Sequence, residues 1–168
     1  MKKFNVTQLV KIAAVAAIYF VLTVAISPLA YGPIQFRFAE ILVLLCFYNK
    51  NYCYSMAIGC AFANYFSPTM LFDVPFGTFA TIIAVILISK SKNIIIASLF
   101  PVISNGIILA IEFRIAYMAN KLKYADFNTP IFINMATIAF GELVVVSILG
   151  VIVFKLLEKN KFFMKLIS

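Results

Sequence analysis

Histidine and tryptophan are both missing from this 168-residue chain, and only 12% of its residues are charged. Without histidine there is no imidazole to bind a metal or to shuttle protons near neutral pH, so any acid/base role falls to a buried carboxylate. Acidic side chains number 6 against 14 Lys and Arg, and no two are spaced as a metal-binding pair. Neither a G-x-x-x-x-G-K-[ST] phosphate loop nor a glycine-rich nucleotide fingerprint occurs, so energy for uphill transport would come from another chain or from ions. No metal and no cofactor is expected. The 3 cysteines, Cys46, Cys53 and Cys60, fall at intervals of seven without a C-x-x-C pair. On one helix Cys53 and Cys60 would be separated by about 10 Å of rise, which is too far to bridge, and free core thiols are expected.

What the chain has in excess is apolar. Hydrophobic residues make up 64% of it, where a soluble domain has about 45–50%. A mean hydropathy of +1.06 cannot be confined to one core, so most of the surface must be solvated by lipid. At about 20 residues per span the length allows about six helices and no separate soluble domain. The expectation is an all-α membrane protein of six transmembrane helices, with residues 1–168 forming a single membrane domain. The net charge of +8 comes from lysines at the ends of apolar runs, with no basic stripe interleaved with aromatics, so nucleic-acid binding is not expected.

Apolar runs and their stops predict helices over Val10–Leu29, Phe38–Tyr48, Tyr52–Phe66, Val74–Ser89, Ile94–Met118 and Ile131–Leu157. The first run is too long for a signal-peptide core and more spans follow, so it reads as uncleaved. Lys2, Lys3, Lys11, Lys50, Lys90, Lys92, Lys155, Lys159, Lys161 and Lys165 gather at one face, while Arg37, Arg114, Lys121 and Lys123 fall toward the other. That asymmetry places both termini in the cytoplasm. The second run, at about 17 Å of helix, is too short to cross about 30 Å of hydrocarbon and must be buried against protein or line a cavity.

A charge at the centre of a span costs roughly 2.5–3.5 kcal/mol, so each one inside these runs is a candidate for function. Arg37 and Glu40 start the second run, Asn64 ends the third, Asp73 enters the fourth, Glu112 and Arg114 lie in the outer fifth, and Glu142 lies midway in the sixth. Runs of opposite direction thus place their polar groups in the outer half, as a pocket opening outward would. The bland alternative is internal pairing, Arg37 with Glu40 or Glu112 with Arg114. Against it, the acids outnumber nearby cations, and Asn105 and Glu112 share one helical stripe with Ile108 and Leu109. Pro101, four residues before Asn105, lies on that stripe and loosens the helix. In the first run Ala13, Ala14, Ala16 and Ala17 form a small-residue patch suited to close helix contact, either internal or with a partner, while Gly59-x-x-x-Ala63 in the third reads as internal.

The stretches Tyr31-Gly-Pro-Ile-Gln-Phe-Arg-Phe-Ala-Glu40, Asn64-Tyr-Phe-Ser-Pro68, Asp73-Val-Pro-Phe-Gly-Thr-Phe-Ala-Thr81, Pro101 with Asn105 and Glu112, and Gly141-Glu142 together resemble the QueT family. QueT proteins are substrate-binding S-components of energy-coupling factor (ECF) transporters that import queuosine precursors. The resemblance spans nearly the whole chain. It implies the six-helix S-component fold, a substrate entering from outside, and an alanine patch (Ala13, Ala14, Ala17) that meets the transmembrane coupling protein of a module driven by two ATPases. It also implies toppling in the membrane to release substrate. The connection around Lys121, Lys123 and Asp126 matches no family pattern.

A 7-deazaguanine base suits the acids. Its ring N–H and exocyclic amine can be accepted together by one carboxylate. Its carbonyl needs a donor, for which Asn64, Asn105, Gln35 and Arg37 are available, and Phe36, Phe76 or Tyr117 can stack on the ring. An aminomethyl arm would add an ammonium for Asp73, Glu112 or Glu142, with Glu40 available either to the cargo or to Arg37. The cargo can be the aminomethyl base, the nitrile precursor or queuine. Two other readings are an S-component for another vitamin-like solute and a small membrane enzyme using Glu40, Glu112 or Glu142; for the enzyme no metal or nucleophile is suitably spaced.

Overall fold

A computed structural model describes residues 5–31, 34–119 and 130–167. Lys2, Lys3, the Gly32-Pro33 turn and the connection with Lys121, Lys123 and Asp126 lie outside the described residues. Among the described residues all regular structure is helical. Helix α1 (Val6–Ala25) starts where the side-chain oxygen of Gln8 accepts the backbone N–H of Asn5 at 3.2 Å. It stops at Ile26, and the short α2 (Ser27–Ala30) follows with Pro28 in its first turn. The first run therefore begins four residues before the expected Val10 and breaks before Leu29, because Pro28 brings no N–H to continue the helix.

The second run departs further from expectation. Phe38–Leu44 is a 3-10 stretch, passing into α3 (Leu45–Tyr48). Three residues per turn align Glu40 and Val43, both buried, on one line. Helix α4 (Tyr52–Tyr65) is also short, whereas α5 (Met70–Lys90) and α6 (Ile94–Met118) are long. Helix α5 starts at Met70 rather than Val74, so Asp73 belongs to a helical first turn and not to the entering loop. The last run, α7 (Ile131–Glu142), widens into a π stretch (Leu143–Gly150) and continues as α8 (Val151–Leu157). A further helix, α9 (Lys161–Ile167), was not expected; Asn160 caps it by accepting from the backbone N–H groups of Phe162 and Phe163.

Among the described residues four helices are long and apolar enough to cross a membrane: Val6–Ala25, Met70–Lys90, Ile94–Met118 and Ile131–Leu157. They and α4 pack in the order α1, α4, α5, α6, α7, and the 3-10 stretch touches both α1 and the π stretch, closing the ring. Close approach of α1 and α4 depends on Gly59, where a methyl would come 2.8 Å from the carbonyl oxygen of Ala16. Gly59 and Ala63 are buried, as expected of internal packing, and the three cysteines are free, with Cys53 only partly buried.

The arrangement is polar inside and apolar outside. Leu9, Val21, Ile96, Ile103, Phe132 and Ile152 are all exposed, while Arg37, Glu40, Asp73, Glu112 and Glu142 are each at most 2% exposed. In water this would be unfavourable twice over; in lipid the apolar surface costs nothing. The apolar core is likewise split. One cluster contains Val43, Met56, Ile88, Ala97, Val145 and Phe154; the other contains Leu109, Phe113, Ala116 and Ile138. On α6 the polar Ser104 and Asn105 fall between Ala97 and Leu109, and on α7 Gly141 and Glu142 fall between Ile138 and Val145, so a polar layer interrupts the core.

Candidate functional site

That polar layer is assembled from a loop, the 3-10 stretch and five helices. The loop before the 3-10 stretch carries Gln35 at φ +53°, in the left-handed region that a side chain seldom adopts. Beyond it, the backbone N–H of Arg37 donates to the carbonyl of Gln35 at 2.9 Å, a tight turn over Phe36. The turn lies directly on α7 at Gly141, where any Cβ would collide with the carbonyl oxygen of Ile34 and come 3.2 Å from that of Gln35. Gly141 thus lets the loop seat beside Glu142.

Arg37 is fully enclosed. Its Nε donates to the carbonyl of Ala30 at 3.1 Å, and its guanidinium carbon lies 5.4 Å from the centre of the Tyr31 ring. The Tyr31 hydroxyl in turn donates to the carbonyl of Ala63, tying the loop to α4. Glu40 accepts a hydrogen bond from the hydroxyl of Tyr19 on α1. The expected alternative of Arg37 held by Glu40 is therefore met differently, with a phenol from another helix as the acid's hydrogen-bond partner.

On α4 and α5, Asn64 donates through Nδ2 to the carbonyl of Asp73 at 2.9 Å and to Cys60 Sγ at 3.3 Å. Gly77 makes room for this amide, since a methyl there would lie 2.7 Å from Nδ2. Asp73 accepts through Oδ2 from the hydroxyls of Ser67 and Thr69, so it also clamps the turn between the two helices. On α6 and α7, Asn105 donates through Nδ2 to Glu142 Oε1 at 2.5 Å. Glu112 is fully buried, with the Asp73 carboxyl beside it. Arg114, its suggested partner, is exposed on the other side of α6, with its guanidinium carbon 6.0 Å from the Tyr117 ring centre.

Six acceptor atoms of these residues are sealed from solvent and have no hydrogen-bond partner: Gln35 Oε1, Asn64 Oδ1, Asn105 Oδ1, both oxygens of Glu112, and Glu142 Oε2. A single sealed donor, Arg37 Nη2, is in the same condition. The amides cannot simply be turned to cure this, because the Nδ2 groups of Asn64 and Asn105 are committed to Asp73 and Glu142. Each unpartnered polar atom costs about 1–3 kcal/mol, which a folded protein bears most readily where a ligand supplies the missing partner.

Of the residues expected at the site, Gln35, Arg37, Glu40, Asn64, Asp73, Asn105, Glu112 and Glu142 are all buried; Phe36 and Phe76 are half-buried, and Phe36 packs on the larger apolar cluster. Pro101 is buried on the same α6 stripe. Ala13, Ala14 and Ala17 stay exposed on the outer face of α1, while Ala16 turns inward with Ile12, Tyr19 and Thr23. Tyr19, Ser67 and Thr69 were missed. A seven-residue step from Ile12 to Tyr19 was the available signal for the first, and the short polar turn around Pro68 for the other two. Among the described residues no three His, Cys, Asp or Glu side chains converge as a metal site would need.

Comparison with known proteins gives the family. The family model described as QueT transporter matches residues 9–159. The chain is 35% identical over 156 residues to the Queuosine precursor transporter QueT of Lactococcus lactis subsp. cremoris (strain MG1363), covering 84% of this chain and 87% of that one. No solved structure matches. With a polar layer buried inside an apolar exterior, and a family match over most of its length, the chain belongs to the QueT transporter family and is a multi-pass transporter of a bacterial membrane, not an enzyme.

Proposed function

We propose that the chain is the substrate-binding subunit of an ECF-type importer, which captures a queuosine precursor from the outer side and delivers it inward with an ATP-driven coupling module. The observation that carries the cargo is the imbalance of the buried site: six unpartnered acceptors against one unpartnered donor. A ligand that satisfies it must be rich in N–H groups and offer one acceptor. A 7-deazaguanine base has that character, with a ring N–H, an exocyclic amine and one carbonyl, and the relative from Lactococcus lactis is named for queuosine precursors.

The remaining features of the proposal fit the same role. Six spans result if Phe38–Tyr48 and Tyr52–Tyr65, each supported by neighbours in the ring, count with the four long helices, and both termini then lie in the cytoplasm. Since the sequence has no phosphate loop, the work of release belongs to ATPases on other chains. The exposed alanines of α1 offer the coupling protein a face where another helix can approach closely.

Titration calorimetry of the detergent-purified protein tests the binding step, using the aminomethyl-deazaguanine base, queuine, guanine and riboflavin in turn. One-to-one binding of a deazaguanine, with no heat from riboflavin and no product released, is the expected result. Binding of riboflavin in place of a deazaguanine would make the chain a carrier of another vitamin. No binding of any of them by folded protein would overturn the assignment of cargo.

A further inference from the structure

The unpartnered acceptors do not form one set. Asn105 and Glu112 stand two turns apart on α6, about 10 Å along its axis. At the first level, Asn105 holds one oxygen of Glu142, which leaves Asn105 Oδ1 and Glu142 Oε2 as the free acceptors of a joined pair. The backbone of Gln35 meets the same end, since its carbonyl oxygen is seated on Gly141, the residue before Glu142, and its Oε1 is also unpartnered. At the second level, Glu112 has both oxygens free, and the carboxyl beside it is that of Asp73, with Asn64 bonded to the Asp73 backbone. Arg37 follows two residues on from Gln35, and its Nη2 is the unpartnered donor among these residues.

The two ends differ in what they can recognise. A carboxylate oxygen beside an amide oxygen, with the geometry fixed by their mutual hydrogen bond, suits two parallel N–H donors on one planar edge. Two unpartnered carboxyl oxygens next to a second carboxyl group gather several acceptors in one place, and suit a compact cation with several donors. We propose that the site reads its cargo from two ends. Glu142 and Asn105 accept the ring N–H and exocyclic amine of the base, Glu112 with Asp73 accepts an ammonium on an arm at the far side, and Arg37 donates to the carbonyl between. The assignment rests on the reading of the chain as a deazaguanine carrier and adds to it the orientation of the cargo and a preference for the amine-bearing form.

Two ligands with a common ring separate the ends: the aminomethyl base, which is cationic, and the corresponding nitrile, which is neutral. Calorimetry on the full chain should show the unaltered protein binding the amine at least tenfold more tightly than the nitrile. In Glu112→Gln that preference should vanish, through a loss of tenfold or more for the amine and less than twofold for the nitrile. In Glu142→Gln both should weaken by tenfold or more, with their ratio kept. A third ligand needs no mutation: the aminomethyl base without its exocyclic amine should bind the unaltered protein tenfold more weakly, and Glu142→Gln should weaken it little further. If the unaltered protein binds both bases and the two variants lose them in the same proportion, or Glu142→Gln alone loses the preference for the amine, the two-ended assignment is wrong while the carrier reading stands. If it binds neither base, the carrier reading itself fails and takes the assignment with it.

Discussion

Gln35 concentrates at one residue the tension between stability and function in this protein. Its left-handed backbone costs about 1–3 kcal/mol, and its side chain is buried with Oε1 unpartnered, so that oxygen does nothing to repay the strain. Gln35→Gly removes both features. Its melting temperature should be unchanged or higher, while affinity for the base falls by about tenfold; retained affinity would show that the side chain is idle. Gly141→Ala makes the complementary test, because its methyl would collide with the Ile34 carbonyl. That variant should lose both thermal stability and affinity. Gly106→Ala should be milder, since the nearest neighbour of the new methyl is the Cβ of Ala139 at 3.2 Å. At this scale the sequence was legible wherever a residue was expensive. A carboxylate in an apolar run announces itself, and Glu40, Glu112 and Glu142 are buried, as is Asp73, which was expected in a loop. Their partners were less visible. Tyr19 is an ordinary residue in a membrane helix, and only the fold brings its hydroxyl to Glu40, 21 residues away.

Among the elements, run length identified the long helices to within a few residues, because a span must be apolar for its whole length. It could not distinguish α-helical from 3-10 or π register, since the same apolar residues serve all three. The register follows from packing: the 3-10 stretch must fit between α1 and the π stretch, and Gly150 in the latter admits Leu44, whose Cδ1 would lie 3.1 Å from a methyl placed there. Helix α9 escaped notice because it is too short and too charged to span, although Ile167 is buried in the larger apolar cluster. The alanine patch of α1 divides by face, and its parts should respond differently to substitution. Ala16→Leu forces α1 away from Gly59 and should lower the melting temperature sharply. The double variant Ala13→Leu/Ala17→Leu should fold and bind as before yet abolish uptake in cells carrying the coupling module; loss of binding by purified protein would instead assign those alanines to internal packing.

The whole molecule has an apolar mantle around a charged interior, so its orientation in the membrane depends on the residues at its ends. Lys11 donates to the carbonyl of Leu166 at 2.6 Å and Asn49 to that of Ile167 at 3.1 Å, fastening the start of α1 and the 49–51 turn to α9. These contacts place the two ends of the described chain at one side of the ring. In a background with Cys46, Cys53 and Cys60 replaced, single cysteines at Asn5 and Lys159, both exposed, should react with a membrane-impermeant maleimide in inside-out vesicles and not in intact cells. Labelling of either one in intact cells would overturn the cytoplasmic placement of that end.

The sealing of the polar layer also sets a tempo. Its unpartnered atoms have no contact with solvent, so a solute reaches them only when helices part, and that parting belongs to the protein rather than to the solute. In rapid-mixing experiments the observed rate of binding should therefore rise with ligand concentration and then level off, at the same plateau for the aminomethyl base and for the nitrile although their affinities differ. A rate that climbs without limit for both would describe an open cup. A shared ceiling would describe a carrier that decides for itself when to be filled.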